Sequence, residues 1–175
     1  MIRMFARAAL AATLLAIPAA PVFAHVTLEA PEAVIGAGYK AVLRVPHGCG
    51  TQATNLVRVQ IPEGFFAVKP MPKPGWDLEI VSGPYENAYD NHGTTLTEGV
   101  KEIVWSGGNL LNEHYDEFVF RGTFAAALEP GKFFFPAIQE CAGGEEAWID
   151  TSGAAEADMP APSVTLVPAS GGHGH

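Results

Sequence analysis

The sequence predicts an all-β fold, a two-sheet antiparallel sandwich. Three observations carry this. Short segments alternate apolar and polar residues with a period of two. Proline and glycine punctuate them at close intervals. No segment shows a convincing helical stripe. Many short alternating strands between turn signals suit two packed sheets.

The elements follow in chain order. In "HVTLEAP" Val26 and Leu28 share a face, and in "YKAVLRVP" Tyr39, Ala41, Leu43 and Val45 do. In "NLVRVQIP" Val59 and Ile61 align with Leu56 or Val57. "WDLEIVSG", "VKEIVWSGG" and "DEFVFRGTFAA" carry the same period. "KFFFPAIQE" is almost wholly apolar and reads as one core strand, followed by "EEAWID" and "PSVTLVP". "KPMPKPGW" reads as a stiff polyproline-type segment crossing an edge. Residues 82–97 are polar and weakly patterned, a long hairpin or loop. "TFAAALEP" allows one helical turn at most.

Residues 1–24 read as a secretory signal peptide. Arg3 and Arg7 precede a short apolar run, Pro18 breaks it, and Val22-Phe23-Ala24 offers a small-residue exit. The run is too short to span a bilayer. Residues 25–168 form the domain, and residues 169–175 a flexible His/Gly tail. The signal carries two arginines and no acid, so its loss takes the formal net charge from −9 to −11. That balance argues against nucleic acid and anionic membrane as partners. Cys49 and Cys141 are the two cysteines of an exported chain and are expected to form a disulfide.

Cleavage after Ala24 would make His25 residue one. Its amine and imidazole Nδ1 then close a six-membered chelate around one metal, and nitrogen donors favour Cu(II). His47, in the stiff "RVPHGCG" turn, could add a ligand or simply cap a loop. Glu29 is about 13 Å along an extended strand from His25, too far to share an ion. His92 and His114 lie in polar turns and suit surface roles, and His173 and His175 form a tail pair of weak metal capture. Trp148 reads as core, or, if the cysteines pair, as a ring over the His47 region. Trp76 and Trp105 read as packing residues. Met71 has the softness for Cu(I), but no methionine cluster surrounds it.

The mature chain resembles the YcnI-like family, the exported DUF1775 copper-binding domain, in its proteobacterial variant. The likeness lies in "HVTLE", "YKAVLRVPHGCG", "VRVQIPEGF", "VKPMPKPGW", "EIVWSGG", "YDEFVFRG" and "FFFPAIQEC" with the later Trp148. It implies an immunoglobulin or fibronectin III-like sandwich. It also implies one Cu(II) per chain, held by the mature N-terminal histidine in a histidine brace, with Trp148 beside it. Some members add a glutamate where this chain has Gly48, so His47 is expected to replace that carboxylate. The implied function is a periplasmic Cu(II)-binding protein of copper homeostasis, in storage, chaperoning or delivery. Its partners would be other periplasmic or membrane copper-handling proteins. The alternative is a copper-dependent oxidase or monooxygenase-like enzyme. No catalytic residues are assigned.

Overall fold

The computed structural model describes residues 25–169, and every regular element within them is a strand. One sheet contains β1 (Thr27–Leu28), β3 (Gly38–Val45), β8 (Asp116–Phe124) and β5 (Phe65–Pro70), in the order β1-β3-β8-β5. A second contains β4 (Thr54–Gln60), β6 (Asp77–Asn91), β7 (Thr94–Leu110), β10 (Ala137–Cys141) and β11 (Gly144–Trp148), in the order β11-β10-β4-β7-β6. A small third sheet joins β2 (Glu32–Val34), β12 (Ser163–Val167) and β9 (Gly131–Phe134), with β12 in the middle. The pairing is antiparallel throughout, except between β12 and β2.

The third sheet departs from a plain two-sheet arrangement, and proline explains part of it. Pro31 has no amide hydrogen to continue the pairing of β1 with β3. The chain beyond it instead lies along β12, where Thr165 donates to the Pro31 carbonyl at 2.8 Å. Pro136 similarly divides "KFFFPAIQE", which is not one strand: β9 lies in the small sheet and β10 in the five-stranded one. The polyproline reading of "KPMPKPGW" also needs correction at its start. Lys69 and Pro70 end β5, an edge strand, where a missing ladder donor is tolerated.

The predicted inward faces are buried. Val26, Leu28, Tyr39, Ala41, Leu43 and Val45 enter the core, and Val57, rather than Leu56, joins Val59 and Ile61. Between the large sheets, Phe65 packs on Phe124 and Phe135 with ring centroids 4.7 and 5.2 Å apart, and Phe120 lies 5.4 Å from Phe135. Residues 82–97 resolve as the outer part of the β6–β7 hairpin. Its two-residue turn, His92-Gly93, has φ of 53° and 84°. Positive φ at both positions matches the right-handed strand twist. Among the described residues, no helix is long and apolar enough to cross a membrane.

Candidate metal centre

His25 directly precedes β1. The β1–β3 register pairs Thr27 with Arg44 and Leu28 with Leu43. His25 thus enters β1 at the end of β3 from which the chain leads on through Pro46 to His47. The His25 ring meets Trp148, with centroids 5.7 Å apart and planes tilted by 59°. Trp148 ends β11 and is 4% exposed, while both histidines are partly exposed. The structure thus brings His25 and Trp148 together at one end of the sandwich.

His47 is tied to the same end through its backbone. The Trp148 indole N–H donates to Gln139 Oε1 at 2.7 Å. Gln139 Nε2 donates to the His47 carbonyl at 3.0 Å and to Thr54 Oγ1 at 2.9 Å. Two residues beyond His47, Cys49 forms the expected disulfide with Cys141, and their Cα atoms are 6.2 Å apart. Cys49 and Gln52 also exchange backbone hydrogen bonds of 2.9 Å in each direction, which closes the turn. His47 Nδ1 faces the Gly48 carbonyl at hydrogen-bonding distance. A carbonyl only accepts, so Nδ1 is the donor in this contact, which leaves Nε2 as the nitrogen facing away from it.

Gly48 explains why no carboxylate stands in this turn. A Cβ there would lie 2.1 Å from the Gln52 carbonyl oxygen and 3.2 Å from that of Leu110. The turn closes on bare backbone, and any side chain would have to open it.

The remaining sequence candidates lie elsewhere. Glu29 pairs with Arg44 at 3.5 Å on the exposed side of β1. His92 caps the hairpin tip and His114 lies in the exposed β7–β8 connection. Met71 follows β5, at the sheet edge opposite β1, and is 52% exposed. Trp105 is fully buried and donates to the Met71 carbonyl at 3.2 Å, and Trp76 packs on Phe118 at 4.9 Å. His173 and His175 lie outside the described residues. Among the described residues, no group of three His, Cys, Asp or Glu side chains is arranged to hold a metal. Sequence reading missed Gln139 and Thr54. The available signal was a polar residue on the same strand face as Ala137 and Cys141 in "AIQEC".

The family model described as "Domain of unknown function (DUF1775)" matches residues 25–166. The chain belongs to the DUF1775 family. No curated protein matches this DUF1775 chain significantly. Among solved structures it is similar to an uncharacterized protein from Nocardia farcinica, described as having an immunoglobulin-like fold. The two are 25% identical with a TM-score of 0.62, over 82% of this chain and 98% of that one. That likeness agrees with the all-β sandwich described above. The seventh ScaB type I cohesin from Pseudobacteroides cellulosolvens matches at 12% identity and a TM-score of 0.39, over 86% of this chain and 96% of that one.

Proposed function

We propose that this DUF1775 domain, cut after Ala24, binds one Cu(II) per chain in the periplasm and serves copper storage, chaperoning or delivery. The observation that carries the reading is the juxtaposition of His25 with Trp148, beside the His47 turn. The donor chemistry fits. The His25 amine and imidazole would chelate the ion, and His47 would add a further ligand through Nε2, since its Nδ1 faces the Gly48 carbonyl. The main-chain amine exists only after cleavage, so it escapes any count of side-chain ligands. The family match begins at His25, the residue that cleavage would expose, which supports this cut. The two large sheets provide a stiff frame for the site. Trp148 beside the ion would limit open coordination positions, which suits a carrier better than oxygen chemistry.

The test is mass analysis of the exported protein followed by copper titration. The expected mass is that of residues 25–175, with one Cu(II) bound. One residue added before His25 destroys the chelate and is expected to weaken binding at least ~100-fold, equivalent to about 2.7 kcal/mol. His47→Ala is expected to weaken it by about tenfold and to change the electron paramagnetic resonance spectrum. Equal affinity in the extended and native proteins would overturn the brace. A mature form beginning at Val26 would remove its basis.

A further inference from the structure

Tyrosine and tryptophan aside, the described residues bury two polar side chains, Thr54 and Gln139. They bond to each other, and both lie beneath the candidate metal centre. Gln139 is 1% exposed. A buried amide is costly unless every polar atom finds a partner, and an apolar residue of the same size fills a core without that demand. Here the amide is fully used. Its oxygen accepts from Trp148, and its nitrogen donates to the His47 carbonyl and to Thr54. Its orientation is dictated by these partners, because an indole N–H can only donate and a carbonyl can only accept.

One of the three bonds, that to the His47 carbonyl, also crosses the sandwich. His47 follows β3 in the four-stranded sheet, whereas Gln139, Thr54 and Trp148 belong to the five-stranded sheet. We infer that Gln139 is the positioning residue of the candidate metal centre, locking the His47 turn of one sheet to Trp148 of the other. It touches no ligand atom of the proposed ion and acts through the two residues that flank it. The disulfide reinforces the same turn two residues away, but it holds Cys49, not Trp148. Gln139 is bonded to both partners. This inference rests on the copper reading for its metal, but the frame itself stands without one.

The experiment uses the protein beginning at His25, with Gln139→Met and Gln139→Glu as variants. Methionine keeps the length and removes both arms. Ionised glutamate keeps an acceptor for the indole but places an acceptor against the His47 carbonyl. Thermal unfolding establishes which variants fold. Indole N–H exchange reads the Trp148 arm, while copper affinity and the electron paramagnetic resonance spectrum read the metal. In Gln139→Met, the indole N–H is expected to exchange faster, copper to bind at least about tenfold more weakly, and the spectrum to split into more than one species. Gln139→Glu is expected to keep the indole protected yet share the copper defect. A folded Gln139→Met protein with the wild-type spectrum and a Kd within about twofold of wild type would overturn the inference. The metal-free wild type supplies a test that depends on no variant. Its Gln139 amide and Trp148 indole hydrogens should both be protected before copper is added. Rapid exchange there would also overturn the inference. A wild type that binds no copper but protects both groups would sink the copper reading and leave the frame intact.

Discussion

Two polar networks lie at opposite ends of β4, and they are built from different chemistry. At the Thr54 end, Gln139, Thr54, Trp148 and the His47 carbonyl form a neutral, buried set beside a disulfide. At the Gln60 end, just past Ile61 and Pro62, Glu63 gathers a charged set nearer the surface. It accepts from the Tyr89 hydroxyl, from Lys101 Nζ at 3.2 Å and from the Asn87 amide at 3.2 Å. Tyr89 in turn accepts from the Gly64 amide at 3.0 Å and stacks on Phe66 at 4.6 Å. The charged set fastens the outer β6–β7 hairpin to the body. The neutral set fastens two sheets together. A network with no ionisable member holds its geometry across pH, whereas one built on a carboxylate and a phenol must respond to it.

The sharpest way to break the comparison is to remove the covalent member of the neutral end. Cys49→Ser with Cys141→Ser is expected to lower stability by about 2–5 kcal/mol, because the bridge closes a long loop. Its sequence separation is 92 residues. Denaturant unfolding measures this directly. A loss comparable to that of an ordinary surface substitution would show that the Gln139 bonds and core packing hold this end without the bridge.

At the charged end the expected effect is smaller. Tyr89→Phe removes the hydroxyl that links Glu63 to the Gly64 amide but keeps the ring on Phe66. The expected cost is about 1–2 kcal/mol, the range for a hydrogen bond to a partly solvated charged group. Copper affinity should not change, because the two networks share no residue. A matching loss of affinity would mean that the two ends are coupled through β4.

Most of the fold was legible because strand burial repeats every two residues, and "YKAVLRVP" writes that period plainly. β2 escaped because three residues cannot establish a period. "KFFFPAIQE" misled because a continuous apolar run does not say which sheet receives each half. Only Pro136 marked the change. At the candidate site, His25 was singled out by the Ala24 exit and the chemistry of a free amine. His47 stood out through its stiff turn, and Trp148 through resemblance. Gln139 was missed, although it shares a strand face with Ala137 and Cys141 in "AIQEC". Its strand neighbours Ile138 and Glu140 give no decisive polarity to either face, and its three partners come from segments up to 92 residues away. Residues that work through long-range hydrogen bonds leave little local pattern.

The finest distinction between the two ends lies in the pH dependence of stability. Burial alone would raise the pKa of Glu63. The bonds from Tyr89, Lys101 and the backbone at Glu86 and Asn87 outweigh it and hold the carboxyl below its usual value. A lowered folded pKa gives stability that is present above the unfolded value and lost as pH falls through the folded one. Tyr89 moves the other way. Burial, then the bond to and charge of Glu63, push its phenol up to about 12. That stability is complete below the ordinary value of 10.0 and lost as pH climbs from there towards 12. Thermal unfolding across pH should therefore show an acid limb owing part of its slope to Glu63, and an alkaline limb owing part to Tyr89. Glu63→Gln is expected to flatten the acid limb. Tyr89→Phe is expected to weaken the alkaline limb without abolishing it, because Tyr39, raised to about 12 by burial and then by Glu29, remains. Gln139→Met, where no proton is gained or lost, should shift the whole curve down with both limbs parallel to wild type. A Gln139→Met curve with a changed acid slope would show that the neutral end is tied to an ionising group after all. The contrast between the two networks would then be one of degree, not of kind.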